Sequence, residues 1–116
     1  MITQHGFAQT FQKECGGPLN GNIGYGVQQT NDGNYIFTGT EGSFGSSGDI
    51  YLIKTDANGD TLWAEYAGFG GIDGGKEVIQ TNDNGFIVAG ISSPNGFNDA
   101  CLLKTDENGL VQWNKS

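Results

Sequence analysis

The chain has 116 residues with 13 acidic side chains, five lysines and no arginine, a formal net charge of −8. That length is normally one domain, and the absence of clustered cations argues against a nucleic-acid partner, because phosphate binding needs them. Apolar residues make up only 35% of the sequence while 21 positions are glycine, and those glycines flank aromatic and β-branched runs, so an all-β chain of short strands and tight turns is predicted.

Residues 1–15 read as the outer-strand remnant of a repeat that precedes the first full one. Phe11 stands where Trp63 and Trp113 stand later, and Thr3-Gln4-His5-Gly6 aligns with Asp56-Ala57-Asn58-Gly59. The opening MITQHGFAQTF has neither the charged nor the apolar region of a signal peptide, and no stretch approaches the roughly 20 apolar residues that span a bilayer.

The first full unit, residues 16–67, reads as four strands. Gly26 to Thr30 is the first, and Asn31-Asp32-Gly33 is a turn into the second, Tyr35 to Thr40. A Gly/Ser-rich loop, Glu41 to Gly48, leads to the third strand, Asp49 to Thr55. Asp56-Ala57-Asn58-Gly59 turns the chain into the fourth, Asp60 to Ala67. Asn and Asp supply Asx-turns, and Gly or Asn accept positive φ, so each hairpin is written in its turn residues.

The second unit, residues 68–116, repeats the first. QTNDGNYIFTGT (29–40) returns as QTNDNGFIVAGI (80–91) at an offset of 51, and DIYLIKTDANGDTLW (49–63) returns as DACLLKTDENGLVQW (99–113) at an offset of 50. A one-residue slip in the intervening loop accounts for the difference. Leu110 to Ser116 supplies the last strand. Ile50 to Ile53 and Ala100 to Leu103 are each four consecutive apolar residues, which predicts that both faces of each sheet are covered. Sheets stacked face to face with a period of 40 to 50 residues are the signature of β-propeller blades.

The pattern V-x-Q-T-x-D-G-x-Y-I-x-x-G followed by D-x-Y-L-I-K-T-D-x-N-G-x-x-x-W resembles the β-propeller repeat of secreted and surface bacterial proteins of the Bacteroidetes type, which also occurs in archaea; the resemblance covers residues 3–116. The layout is similar to kelch and quinoprotein blades but lacks their functional residues. The resemblance implies the fold and an extracellular or cell-surface location, and no reaction. Two blades do not close a ring, so the partners expected are other blades, either from identical chains in an oligomeric ring or from the rest of a longer chain.

Function is expected to be non-catalytic: a scaffold or binding module for protein or glycan, or alternatively an oligomeric ring-forming lectin with sugar sites at blade loops or junctions. There is no nucleophile elbow, no cofactor fingerprint and a single histidine, His5, so no catalytic residue, cofactor or metal site is expected. Asp56, Asn58 and Asp60 resemble the start of a calcium loop, but its glycine is misplaced and its twelfth-position Glu is missing, so a hairpin turn is the reading. Lys54 and Lys104 recur at strand ends and are expected to pair with a nearby Asp. The candidate ligand contacts are Phe44, Phe97 and Asn95 on loops that differ between the units, with Trp63 and Trp113, which pack between blades or serve as a sugar platform.

Overall fold

The computed structural model describes residues 22–42 and 48–116. The outer-strand remnant at 1–15, His5, Phe11, Cys15 and Phe44 lie outside the described residues. The described residues form no helix, so none among them is long and apolar enough to cross a membrane. Eight strands, β1 (Ile23–Gln29), β2 (Tyr35–Glu41), β3 (Asp49–Thr55), β4 (Thr61–Ala67), β5 (Ile72–Gln80), β6 (Phe86–Ser93), β7 (Asp99–Thr105) and β8 (Val111–Lys115), make two antiparallel four-stranded sheets in the orders β1-β2-β3-β4 and β5-β6-β7-β8. The two sheets do not close into a ring.

The repeat is reproduced down to its irregularities. Each unit has a bulge in its first strand, between Gly24 and Gly26 and between Gly75 and Glu77, and a second where the third strand meets the fourth, at Lys54/Thr55 and Lys104/Thr105. Glu41 pairs Asp49 and Ser92 pairs Asp99, so the one-residue slip lies in the loop between second and third strands, as the offsets require. The first strand starts at Ile23, three residues before the expected Gly26, because Ile23 and Gly24 still pair with Thr40 and Gly39.

Four hairpin turns share one geometry. Gly33, Gly59, Asn84 and Gly109 all have positive φ and donate their amides to the residue three earlier. Where the turn begins with Asp56 or Asp106, that carboxylate accepts from the backbone amides two and four residues on, at 2.9 Å each. Where it begins with Thr30 or Thr81, the hydroxyl donates to Asp32 or Asp83, whose Oδ1 accepts the amide two residues further on. The side chains thus supply the acceptors that a tight turn cannot find in its own backbone.

Alternation then decides what meets what. One face of the first sheet carries Ile36, Ile50 and Leu52, with Trp63 and Ala67 beside them. The facing surface of the second carries Val78, Phe86, Val88, Cys101 and Leu103. These side chains form the core between the sheets, each fully buried aliphatic or aromatic group contributing about 1.5–3 kcal/mol. The strand β5 lies against β1, β2 and β3. At Gly26 the approach is so close that a Cβ would sit 2.8 Å from the Lys76 carbonyl, which is why glycine occupies that position.

The expectation of two-sided burial holds for Ile50 to Ile53, all buried. It fails for the matching run: Cys101 and Leu103 are buried, but Ala100 is exposed and Leu102 is 42% exposed. Strand side chains alternate between faces, and only the face of the second sheet that meets the first is covered among the described residues.

Candidate functional site

Three places offer chemistry, and the seam between the sheets is the first. Gln80, at the end of β5, donates its amide N–H to Gln28 Oε1 at 2.6 Å and accepts the Asn31 amide on its own Oε1 at 2.8 Å. Asn31, Asp32 and Lys54 of the first unit with Gln80, Asn84 and Glu107 of the second line a groove of about 340 Å³ above these bonds. Lys54 Nζ lies 2.8 Å from Asp32 Oδ2. That ammonium, and secondarily the Thr30 hydroxyl, hold the Asp32 carboxyl well below the usual carboxylate range. Lys104 repeats the arrangement with Asp83 at 2.9 Å and adds Gln112 Oε1 and the Thr105 carbonyl. Both lysines therefore take the aspartate partner expected of them. The groove is lined by amides, two carboxylates and an ammonium, a set that hydrogen-bonds and has no nucleophile–base pair.

The second place is the outer face of the second sheet. Glu77, Ile79, Ile87, Ala89 and Leu102 line a hollow of about 290 Å³ there, and Trp113 is on the same face at 42% exposure. Their repeat partners on the first sheet are Gly26, Gln28, Ile36, Thr38, Leu52 and Trp63, the surface that the second sheet covers. No family model matches the chain, and no curated protein matches it in sequence. The hollow is apolar with one carboxylate, and Glu77 occupies the position at which Gly26 admits the neighbouring backbone.

The third place is the turn between β6 and β7. Asn95 and Phe97 sit on it, with Phe97 78% exposed, and Ser93 Oγ donates to Asn98 Oδ1 at 2.5 Å across its base. The candidates named from sequence are thus dispersed. Trp63 is half-buried against the core, its ring 5.9 Å from that of Phe86 and against Gly109. Trp113 is on the open face, and Asn95 and Phe97 are on the loop at the other end of the strands from the seam groove. Sequence reasoning did not single out Gln80, Asn84, Glu107, Ile79 or Leu102. For Leu102 a signal was available, since strand alternation puts it opposite in facing to Cys101 and Leu103.

Proposed function

We propose that the chain is a non-catalytic scaffold module, two blades of a β-propeller in an exported or cell-surface protein, which presents its loops and seams to protein or glycan. The observation that carries this is the mismatch between equivalent faces. The face of the first sheet around Leu52 and Trp63 is buried on its neighbour, and the face of the second around Leu102 and Trp113 is open. A face built by the same repeat suits the same kind of cover, so a further blade is the natural partner. Leaving a few hundred Å² of apolar face in water forfeits roughly 25 cal/mol per Å², a sizeable part of a total stability of about 5–15 kcal/mol. Glu77 makes this junction distinct from the one within the chain: the incoming sheet has to meet a carboxylate where the inner junction has Gly26. The second reading, a ring-forming lectin, is favoured by the amide-rich groove, since one such groove would recur at every junction.

Light scattering behind a sizing column tests the reading. Three or four chains per particle support a closed ring of six or eight blades, and a glycan array then probes the grooves. A monomer whose open face binds a hydrophobic dye supports blades belonging to a longer propeller. A monodisperse monomer that binds no dye, and whose Leu102→Glu variant is indistinguishable from it, sinks the proposal.

A further inference from the structure

Asp73 opens the buried part of β5 with none of its surface exposed. Its Oδ2 accepts the Phe69 amide at 2.5 Å, and its backbone amide donates to the Gly48 carbonyl at 2.8 Å. Its Oδ1 has no hydrogen-bond partner. Ser92, the register partner of Asp73 on β6, is equally buried, and its Oγ is likewise without a partner. Register partners stand on one face, here the face turned toward the first sheet. From that sheet Asp49 comes near the same carboxyl: a Cβ on Gly68 would lie 2.3 Å from Asp49 Oδ1 and 3.5 Å from Asp73 Oδ2.

A carboxylate oxygen shut away from water is strongly unfavourable unless a donor or a cation meets it. The lysines of the two ion pairs, Lys54 and Lys104, are at the opposite ends of their strands, roughly 17 Å away at about 3.3 Å per residue. The position itself recurs. Asn22, which matches Asp73 at the offset of 51, also buries a side-chain oxygen without a partner. The second unit differs in carrying charge there.

We propose that Asp73, Ser92 and Asp49 hold a hard divalent cation, calcium, that clamps β3 of the first sheet to β5 and β6 of the second. The donors are two carboxylates and a hydroxyl, with the Gly48 carbonyl beside them, and an all-oxygen set selects hard ions over zinc or copper. Calcium accepts an irregular set of this kind, whereas magnesium demands a near-ideal octahedron. Among the described residues no three His, Cys, Asp or Glu side chains cluster as metal ligands. With two charged ligands, completed by neutral oxygens and water, the affinity falls at the weak end of protein calcium sites, about 10⁻⁴–10⁻³ M. The clamp stands on the seam within the chain and does not depend on the blade reading.

The test uses the full chain, stripped with a chelator. Equilibrium dialysis across about 0.01–10 mM calcium is expected to titrate one ion per parent chain, with the Asp73→Asn variant half-filled only at about tenfold higher calcium. Calcium is expected to raise the melting temperature by about 4 °C or more, and magnesium by clearly less. Asp73→Asn and Ser92→Ala each lose about tenfold in calcium affinity, while Asp56→Asn, whose carboxylate serves a hairpin turn, binds as the parent does. Where Asp73→Asn does not fold, Ser92→Ala and Asp49→Asn take its place. No binding by the parent chain, or full affinity retained by the variants at the site, overturns the proposal.

Discussion

Trp63 and Phe86 meet across the seam with ring centroids 5.9 Å apart and planes at 57°. The pair joins the outer strand of the first sheet to the start of β6 in the second. Truncating Trp63 to alanine removes both the buried area and the ring contact, and is expected to cost about 3 kcal/mol. The matching Trp113→Ala is expected to cost less than about 1 kcal/mol in the isolated chain, since its ring has no sheet to enter. Urea denaturation of the two variants measures the difference; equal losses would mean that the outer face is covered in solution.

Gly109 should tolerate substitution far less than Gly33. Both have positive φ, 85° and 81°. A Cβ at Gly109 would lie 2.7 Å from Trp63 Cζ3, while one at Gly33 would meet nothing within 4 Å. Gly33→Ala therefore carries only the left-handed backbone cost of about 1–2 kcal/mol, whereas Gly109→Ala adds an overpacking cost of about 1–3 kcal/mol. Chemical denaturation of both variants, and of Gly109→Ala combined with Trp63→Phe, checks whether the excess belongs to the indole.

Acid should weaken the fold through Asp32 and Asp83. The carboxyl of Asp32 is lowered chiefly by Lys54, and that of Asp83 chiefly by the Thr81 hydroxyl and then by Lys104. A carboxyl lowered on folding stabilises the native state above its unfolded value, near 3.9, and that stabilisation is lost as pH falls through the lowered native value. The melting temperature is thus expected to fall below about pH 4 from these groups, and an Asp32→Asn, Asp83→Asn double variant to show a flatter acid limb. Parallel slopes for parent and variant between about pH 2 and 4 would contradict this.

Lys104 should matter more than Lys54. Its ammonium is 10% exposed and meets Asp83, Gln112 and the Thr105 carbonyl, whereas Lys54 donates to Asp32 at 13% exposure. Lys104→Ala leaves a buried carbonyl without that donor and is expected to cost about 2 kcal/mol, against about 1 kcal/mol or less for Lys54→Ala. Thermal unfolding of the single variants would reveal the order.

Cys101 should be unreactive in the native chain. Burial, with the nearby charge of Asp73, pushes its thiol up from the ordinary value, and a thiol rather than a thiolate is a poor nucleophile. In a Cys15→Ser background a disulfide reagent is expected to label Cys101 only as fast as the protein opens, with full labelling in denaturant. Rapid native labelling would place the thiol in water.

The residues that write local structure wrote it legibly. Asp56 and Asp106 anchor their turns through two backbone amides each, Lys54 and Lys104 find the aspartates of the neighbouring hairpin, and β3 runs from Asp49 to Thr55 as its apolar run and flanking turns imply. Such features depend on neighbours along the strand or across one hairpin, and turn chemistry and register suffice to set them.

Position in the stack is a different matter. Leu52 and Leu102 occupy the same place in the repeat, yet one is 2% exposed and the other 42%. Nothing in either hairpin distinguishes them, because burial of a sheet face depends on whether another sheet lies on it. The same holds for the Gln28–Gln80 bond and for the unpartnered oxygens of Asp73 and Ser92, which arise only where two sheets from distant parts of the chain meet. The sequence alone determined the repeat, the strands, the turns and the alternation of faces, since these follow from local sterics and hydrogen bonding. Which face became core, which stayed open and where charge was enclosed were set by how the two sheets pack, because desolvation is a property of what packs against a residue and not of the residue itself.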